Sequence, residues 1–426
     1  MGRHEDAQAA RAAAVDVARR LQDAGHTAYF AGGCVRDELL GLEPTDYDVA
    51  TDATPDRIRA LFDRTSEVGA AFGVMLVRLR RQTIEVATFR EEGAYSDRRR
   101  PDEVRFATPE RDAKRRDFTV NALFLDPVAA DEPDPGGLGA IHGHVIDLVG
   151  GVDDLRGKRI RAVGDPNDRL AEDHLRALRA VRLAARLGFE IEPATARAIR
   201  EHASELVGVS RERIGEEVRR MMRHPSRARA VSMLHQLGLD APVLGEAVGD
   251  RPLAALNALR PEASPVAALG AWAIDRFGVD AALAGVASWR SRLMLSNDEW
   301  RALQSALSVL ATLRTGWGGA PVAARKRLLT GDGADDARAL LRAIDPDASA
   351  ALEREGERLA GDGVGLRPRP LLTGDDLIRL GLRPGPGFKG LLDLVYDAQL
   401  EGRVASLDDA VAMARREAGR FGLSGA

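Results

Sequence analysis

Residues 27–48 read Thr27-Ala28-Tyr29-Phe30-Ala31-Gly32-Gly33-Cys34-Val35-Arg36-Asp37-Glu38-Leu39-Leu40-Gly41-Leu42-Glu43-Pro44-Thr45-Asp46-Tyr47-Asp48. The first five residues have the composition of a short strand that runs into a glycine turn. Asp46 and Asp48 then sit one residue apart on the next strand. Alternate residues of a strand point to the same face, so two carboxylates enter one small volume and repel unless cations lie between them. Gly32 and Gly33 let backbone N–H groups approach an anion closely, and Arg36 offers a fork of donors matched to phosphate oxygens. Divalent metal beside a phosphate cradle points to phosphoryl or nucleotidyl transfer.

The 426 residues are too many for one hydrophobic core and suggest two to four compact units. Hydrophobic residues make up 45% and charged residues 30%. No apolar run approaches the length needed to span a bilayer and no signal-peptide pattern opens the chain, so the expectation is a soluble cytoplasmic protein without a membrane partner. Cys34 is the single cysteine, which excludes a disulfide or thiolate metal cluster within one chain. It reads as a small buried filler of the glycine turn. The net charge of −4 argues against indiscriminate nucleic-acid binding but leaves RNA open, because local arginine clusters set that affinity.

Working outward, Asp6–Ala24 has helical periodicity and Pro55–Phe62 reads as a helix capped by Thr54 with proline in its first turn. Val74–Leu79 and Thr83–Phe89 read as strands. These elements make an α+β head with a sheet. Asp126–Gly143, rich in Asp, Pro and Gly, reads as a surface insertion. From Asp168 onward the pattern is helical, broken by glycine and proline clusters. Segment 266–350 carries no interpretable motif.

Three further motifs carry chemistry. Glu85, within Thr83-Ile84-Glu85-Val86-Ala87, places an acid in an apolar strand, as a third metal-site carboxylate or as an edge glutamate facing solvent. Lys114-Arg115-Arg116-Asp117-Phe118-Thr119-Val120-Asn121 combines guanidinium groups with an acid that could hold one of them, and a nucleoside triphosphate is the natural counter-charge. In Glu172-Asp173-His174-Leu175-Arg176-Ala177-Leu178-Arg179-Ala180-Val181-Arg182, helical spacing puts Asp173, Arg176, Arg179 and Arg182 on one face. A helix held by i,i+3 ion pairs is the alternative. Cytosine and adenine both present an amino donor beside a ring-nitrogen acceptor, which a carboxylate plus a guanidinium complements. Uracil and guanine put a carbonyl oxygen against the carboxylate and are rejected.

In this order, the motifs closely resemble the class II tRNA nucleotidyltransferases, the CCA-adding enzymes of the polymerase-beta-like superfamily, whose head is shared with bacterial poly(A) polymerases. The resemblance implies that Gly32, Gly33, Arg36, Arg116, Arg179 and Arg182 contact the nucleotide, that Asp173 and Arg176 read the base, and that Asp46 and Asp48 hold two Mg²⁺ with Glu85 as third acid. Ser210–Glu217 resembles a motif that braces the neck helices. The implied fold is a seahorse-like polymerase-beta head with a small mixed sheet, followed by an elongated all-α neck, body and tail, with boundaries expected at 1–157, 158–227, 228–345 and 346–426. The implied reaction is untemplated addition of CCA to the tRNA 3′ end and acceptor arm from CTP and ATP. Poly(A) synthesis, CC-only or A-only addition and an inactive tRNA-binding protein are the alternatives, and the oligomeric state stays open. Arg90–Val104 resembles the flexible loop found in full CCA adders, with Arg98 where glycine is common. Gly69–Val74 resembles the CCA-adding form of its strand. Leu372–Leu377 with Gly381–Pro386 resembles a tRNA-gripping tail.

Overall fold

The computed structural model describes residues 2–68, 73–92, 104–133, 135–246 and 251–423. The Gly69–Phe72 part of the strand signature and residues 93–103 of the expected loop, Arg98 included, lie outside them. Two compact units emerge, one of residues 1–221 and 229–247, the other of residues 222–228 and 248–426.

The first unit opens with helix α1 (Gly2–Asp23) and strand β1 (Ala28–Ala31), then the glycine turn and helix α2 (Gly33–Leu39). Strand β2 (Asp48–Thr51), helix α3 (Pro55–Leu61) and strands β3 (Thr65–Glu67), β4 (Val74–Leu79) and β5 (Gln82–Thr88) follow. The Thr54 hydroxyl accepts from the Arg57 N–H, capping α3 as the sequence implies. Strands β6 (Arg90–Glu92) and β7 (Val104–Phe106) form a two-stranded antiparallel ribbon, and β8 (Phe124–Asp126) and β9 (His144–Ile146) complete the main sheet. Its order is β3-β4-β5-β2-β1-β8-β9. Only the β2–β5 pair is parallel, with Asp48 opposite Glu85. The sheet is therefore mixed, and Glu85 belongs to an interior strand, not to an edge.

Helix α4 (Pro109–Arg115) lies between β7 and β8, and beyond β9 come α5 (Gly151–Arg156), α6 (Pro166–Glu172), α7 (Arg176–Leu187), α8 (Pro193–Glu201) and α9 (Arg211–Met222). A short parallel pairing, Arg159–Ile160 with Glu190–Ile191, interrupts the helices. Sequence periodicity gave no sign of it, because two residues are too few to alternate. One correction concerns the motif 172–182, which is not one helix. Asp173 is extended (φ −153°, ψ 101°), ending α6, and its Oδ1 accepts from the Leu175 N–H. An Asp side chain that caps the next turn competes with continuing the helix, so the shared-face reading holds only from Arg176 onward.

Among its described residues the second unit contains helices and no strand. Its Thr373-Gly374-Asp375-Asp376 signature forms a reciprocal capping box on the helix Gly374–Arg379, which orders the turn that leads to Leu377, a fully buried residue of an apolar cluster with Leu391 and Val395. No described helix is long and apolar enough to cross a membrane.

Candidate active site

A cavity of about 1000 Å³ in the first unit is lined by Gly32, Gly33, Arg36, Asp46, Asp48, Glu85, Arg116, Asp173, Arg176, Arg179 and Arg182. Every site residue expected from sequence thus reaches one space, although more than a hundred positions separate the first from the last. Nine arginines and six acids line it, an excess of positive charge suited to a polyphosphate.

The acids come from strand alternation. Tyr47 points inward, packs on Phe30 with ring centroids 5.2 Å apart and gives its hydroxyl hydrogen to Glu38 (2.7 Å), which leaves Asp46 and Asp48 facing the cavity. Asp46 itself lies just before β2, so the alternation extends beyond the regular strand. The parallel register sets Glu85 beside Asp48. Enclosure in the cavity and the charges of Glu85 and Asp46 push the Asp48 carboxyl up to about 7, against a smaller opposing pull from Arg116. Among the described residues no guanidinium or ammonium pairs with these three acids.

The glycine turn forms another wall. Gly32 has φ +78°, a conformation that L side chains resist, and a Cβ there would lie 2.9 Å from Arg116 Nη1. The Cys34 thiol is buried, and burial pushes it up to about 12, which agrees with a filler and not a nucleophile.

The arginines are anchored, and mostly by acids that the sequence did not single out. Asp112, buried on α4, takes Arg115 on Oδ1 (2.8 and 2.6 Å) and Arg116 on Oδ2 (3.1 and 3.0 Å). Burial works against its ionisation, but Arg116 and Arg115 outweigh it and hold the carboxyl below its ordinary range. Arg116 also donates to the Asn121 carbonyl (3.0 Å) and stacks on Phe124, 5.1 Å from the ring centroid. Asp117 does not hold either arginine of its own motif. It accepts from Arg179 of α7 (2.8 and 2.7 Å) and from the Asn121 amide (3.0 Å). Burial raises its carboxyl, yet Arg179 and Asn121 hold it down at about 2.

Arg36 is buried, donates to Asp37 Oδ1 (2.8 Å) and bonds Asn121 Oδ1, while Asp37 Oδ2 accepts from Arg186 of α7 (2.8 Å). A continuous chain Arg186–Asp37–Arg36–Asn121–Asp117–Arg179 therefore ties α2 to α7. Arg182 donates to Glu217 of α9 (2.6 Å). Asp173 Oδ2 accepts from Arg213 (2.6 Å), and Arg176 donates to Glu172 Oε2 (2.5 Å) and to the Arg169 carbonyl (2.8 Å). The ion-pair reading of α7 is thus realised, and the same arginines line the cavity. Two residues of the segment Ser210–Glu217, Arg213 and Glu217, bond Asp173 and Arg182, so α9 is tied to the break before α7 and to α7 itself. Arginine-to-acid spacing within a helix could have flagged Glu172. Nothing in one dimension links Arg182 to Glu217.

A profile described as the Poly A polymerase head domain matches residues 28–161, and one described as the probable RNA and SrmB- binding site of polymerase A matches residues 188–247. The CCA-adding enzyme of Limosilactobacillus fermentum is 33% identical, with 91% of this chain and 92% of that protein aligned. The chain belongs to the CCA-adding enzyme family. Within that family, the Bacillus subtilis CCA-adding enzyme is 43% identical over 53% of this chain and 54% of its own. Among solved structures, the Bacillus stearothermophilus CCA-adding enzyme in complex with CTP matches with a TM-score of 0.73 and 28% identity, covering 96% of this chain and 98% of that one. The Thermotoga maritima CCA-adding enzyme complexed with tRNA-CCA shares the fold, with a TM-score of 0.60, 19% identity and coverage of 95% and 94%. As nucleotidyltransferases, CCA-adding enzymes need a divalent metal.

Proposed function

We propose that this chain builds the CCA end of tRNA at the cavity just described, with Asp46, Asp48 and Glu85 as the metal-binding acids and Asp173 with Arg176 as the base-reading pair. The tRNA 3′-hydroxyl attacks the α-phosphate of CTP and then of ATP, pyrophosphate leaves, and no nucleic-acid template takes part. Convergence of three carboxylates without a paired cation, opposite a wall of anchored arginines, carries this reading.

The donor set fits Mg²⁺, which takes oxygen ligands and is held by one or two carboxylates together with substrate phosphates. When bound, the ions neutralise charge on the attacking and leaving oxygens. The rest is the work of the chain. Gly32 leaves room for Arg116 against the turn, and Arg116, Arg179 and Arg182, fixed by Asp112, Asp117 and Glu217, present donors to the triphosphate and sugar with little orientation left to lose on binding. Arg36 lines the cavity and is held there by Asp37 and Asn121.

Each oxygen of an ionised carboxylate carries two lone pairs. Asp173 uses one on the Leu175 N–H and one on Arg213, so lone pairs remain for the amino group of cytosine or adenine. Arg176 gives Nη1 to Glu172 and the Arg169 carbonyl and Nη2 to the Arg115 carbonyl (3.5 Å), which leaves Nε–H and one Nη2–H for the adjacent base acceptor. A carbonyl oxygen in place of the amino group would meet Asp173 without a proton between them, which rejects uracil and guanine.

The test offers tRNA ending at the discriminator base, at C and at CC, with each nucleoside triphosphate alone and with CTP plus ATP. Addition of C, C and A followed by a stop is expected. A long A tail would move the activity to poly(A) synthesis, addition of CC alone or A alone to a divided pathway, and absence of product to a tRNA-binding protein.

A further inference from the structure

Outside the nucleotide cavity, the same unit brings together two imidazoles and a carboxylate. His174 occupies the break between α6 and α7, His202 ends α8, and Glu205 lies in the 3₁₀ turn Ala203–Gly208. One ligand atom from each lies within 4.8 Å of the others. The two oxygens of Glu205 divide between the rings: Oε2 is 3.1 Å from His174 Nε2, and Oε1 is 2.8 Å from His202 Nδ1. The rings stack with centroids 6.0 Å apart. None of the three residues lines the nucleotide cavity.

The second nitrogen of His202 decides the chemistry. Its Nε2 lies 3.3 Å from Asn167 Oδ1, an acceptor on α6. A neutral imidazole has one N–H and one lone pair. If Nε2–H donates to Asn167, the Nδ1 lone pair faces the Glu205 carboxylate at 2.8 Å, and the two repel unless a proton or a metal cation lies between them. A carbonyl oxygen on the far nitrogen of an imidazole is also the usual outer partner of a metal-bound histidine, because it fixes the tautomer that exposes the other lone pair. His174, 3% exposed, adds a second nitrogen from the interior, while the partly exposed Glu205 leaves an entry path.

We infer that His174, His202 and Glu205 form a second metal site, for a divalent ion of the zinc class, which fastens the break between α6 and α7. Two imidazoles and one carboxylate suit a borderline ion better than Mg²⁺, which prefers oxygen alone. Such an ion has bonds of about 2.0–2.2 Å, so small side-chain rotations bring the set to bonding distance. The site adjoins Asp173 in sequence, and an ion there restrains the extended residue that carries the base-reading carboxylate.

The full chain, untagged and carrying Asp46→Ala and Asp48→Ala to remove the nucleotidyl-transfer metal site, is stripped with chelator and dialysed against Zn²⁺ or Co²⁺. One retained equivalent per chain, with the intense visible bands of low-coordinate Co²⁺, is expected. Adding Glu205→Gln, a change at a partly exposed position that keeps the side-chain shape, or His202→Ala should abolish both, with folding checked by circular dichroism. Asn167→Ala should weaken retention by about tenfold. Failure of the starting protein to retain an ion, or retention unchanged by Glu205→Gln, overturns the site. The outcome does not depend on transfer activity.

Discussion

Two sets of charges face one another in the cavity and are treated in opposite ways. On β5, on β2 and just before β2 three acids are brought together with, among the described residues, no cationic side chain paired to them and only a smaller pull from Arg116, so that the Asp48 carboxyl rises to about 7. Along α7 the arginines are secured: Arg179 by Asp117, Arg182 by Glu217 and Arg186 by Asp37. Acids that repel one another are stabilised by any cation placed between them, which is the basis of the metal-site proposal. Relieved charge creates rigidity, since a guanidinium fixed by an acid keeps the donors pointing outward in a constant direction. The same class of residue is thus left unpaired in one place and made a strut in the other.

The largest effect should come from the repelling set. Asp48→Ala removes an acid of the metal group, whose charge stabilisation is worth several kcal/mol, so single-turnover transfer of CMP to tRNA should fall by more than about 10³-fold with an unchanged circular dichroism spectrum. Substantial turnover would mean that these acids are not the reaction centre.

The secured set should respond through stability. Asp117→Asn removes the nearer counter-charge of Arg179, leaving Glu217 at 3.9 Å, a loss of about 2–3 kcal/mol in urea unfolding at pH 7. The carboxyl is held below its unfolded value, so its contribution is complete above about pH 4 and disappears as pH falls through about 2. Wild type and variant should therefore converge on acidification. A difference that persists at low pH would place the effect outside this ion pair.

Arg213→Gln tests whether a strut also sets base choice. Asp173 loses the partner at 2.6 Å, a charge-assisted bond worth about 1.5–3 kcal/mol. Allowing for relaxation, the preference for CTP over UTP should fall by about tenfold, read as a ratio of kcat/KM with little change in KM for CTP. Equal losses for both nucleotides would show that Arg213 only supports the helix. The smallest effect is expected for Gly32→Ala, where the positive φ costs about 1 kcal/mol and the new methyl displaces Arg116, visible as a modest loss in thermal stability and a rise in KM for CTP.

Much of this arrangement was legible in the chain. The glycine turn, the Asp-x-Asp alternation, Glu85 in an apolar strand and the Arg-Arg-Asp motif are local patterns, and local geometry places them correctly. Two things escaped. The extended backbone at Asp173 did, because helical spacing continues through it and the capping contact to Leu175 leaves no periodic trace. The anchoring pairs also escaped: Asp112 went unnoticed among 65 acidic residues, and although Asp37 and Glu217 lie in motifs visible in the sequence, only the folded chain shows that they meet Arg186 and Arg182 as Asp112 meets Arg116. Asp117 illustrates both, since it belongs to a visible motif yet serves an arginine 62 positions away.

The parallel pairing of β2 with β5 gives the gene a simple rule about length. One codon inserted within β5 before Glu85 would slip the register and turn that acid to the face where Ile84, 2% exposed, now packs. An insertion anywhere in 93–103 would leave Asp48 and Glu85 opposite one another, because both strands are already complete upstream. Drift in length among descendants of this chain should accordingly gather in that later segment and avoid strands β2 and β5.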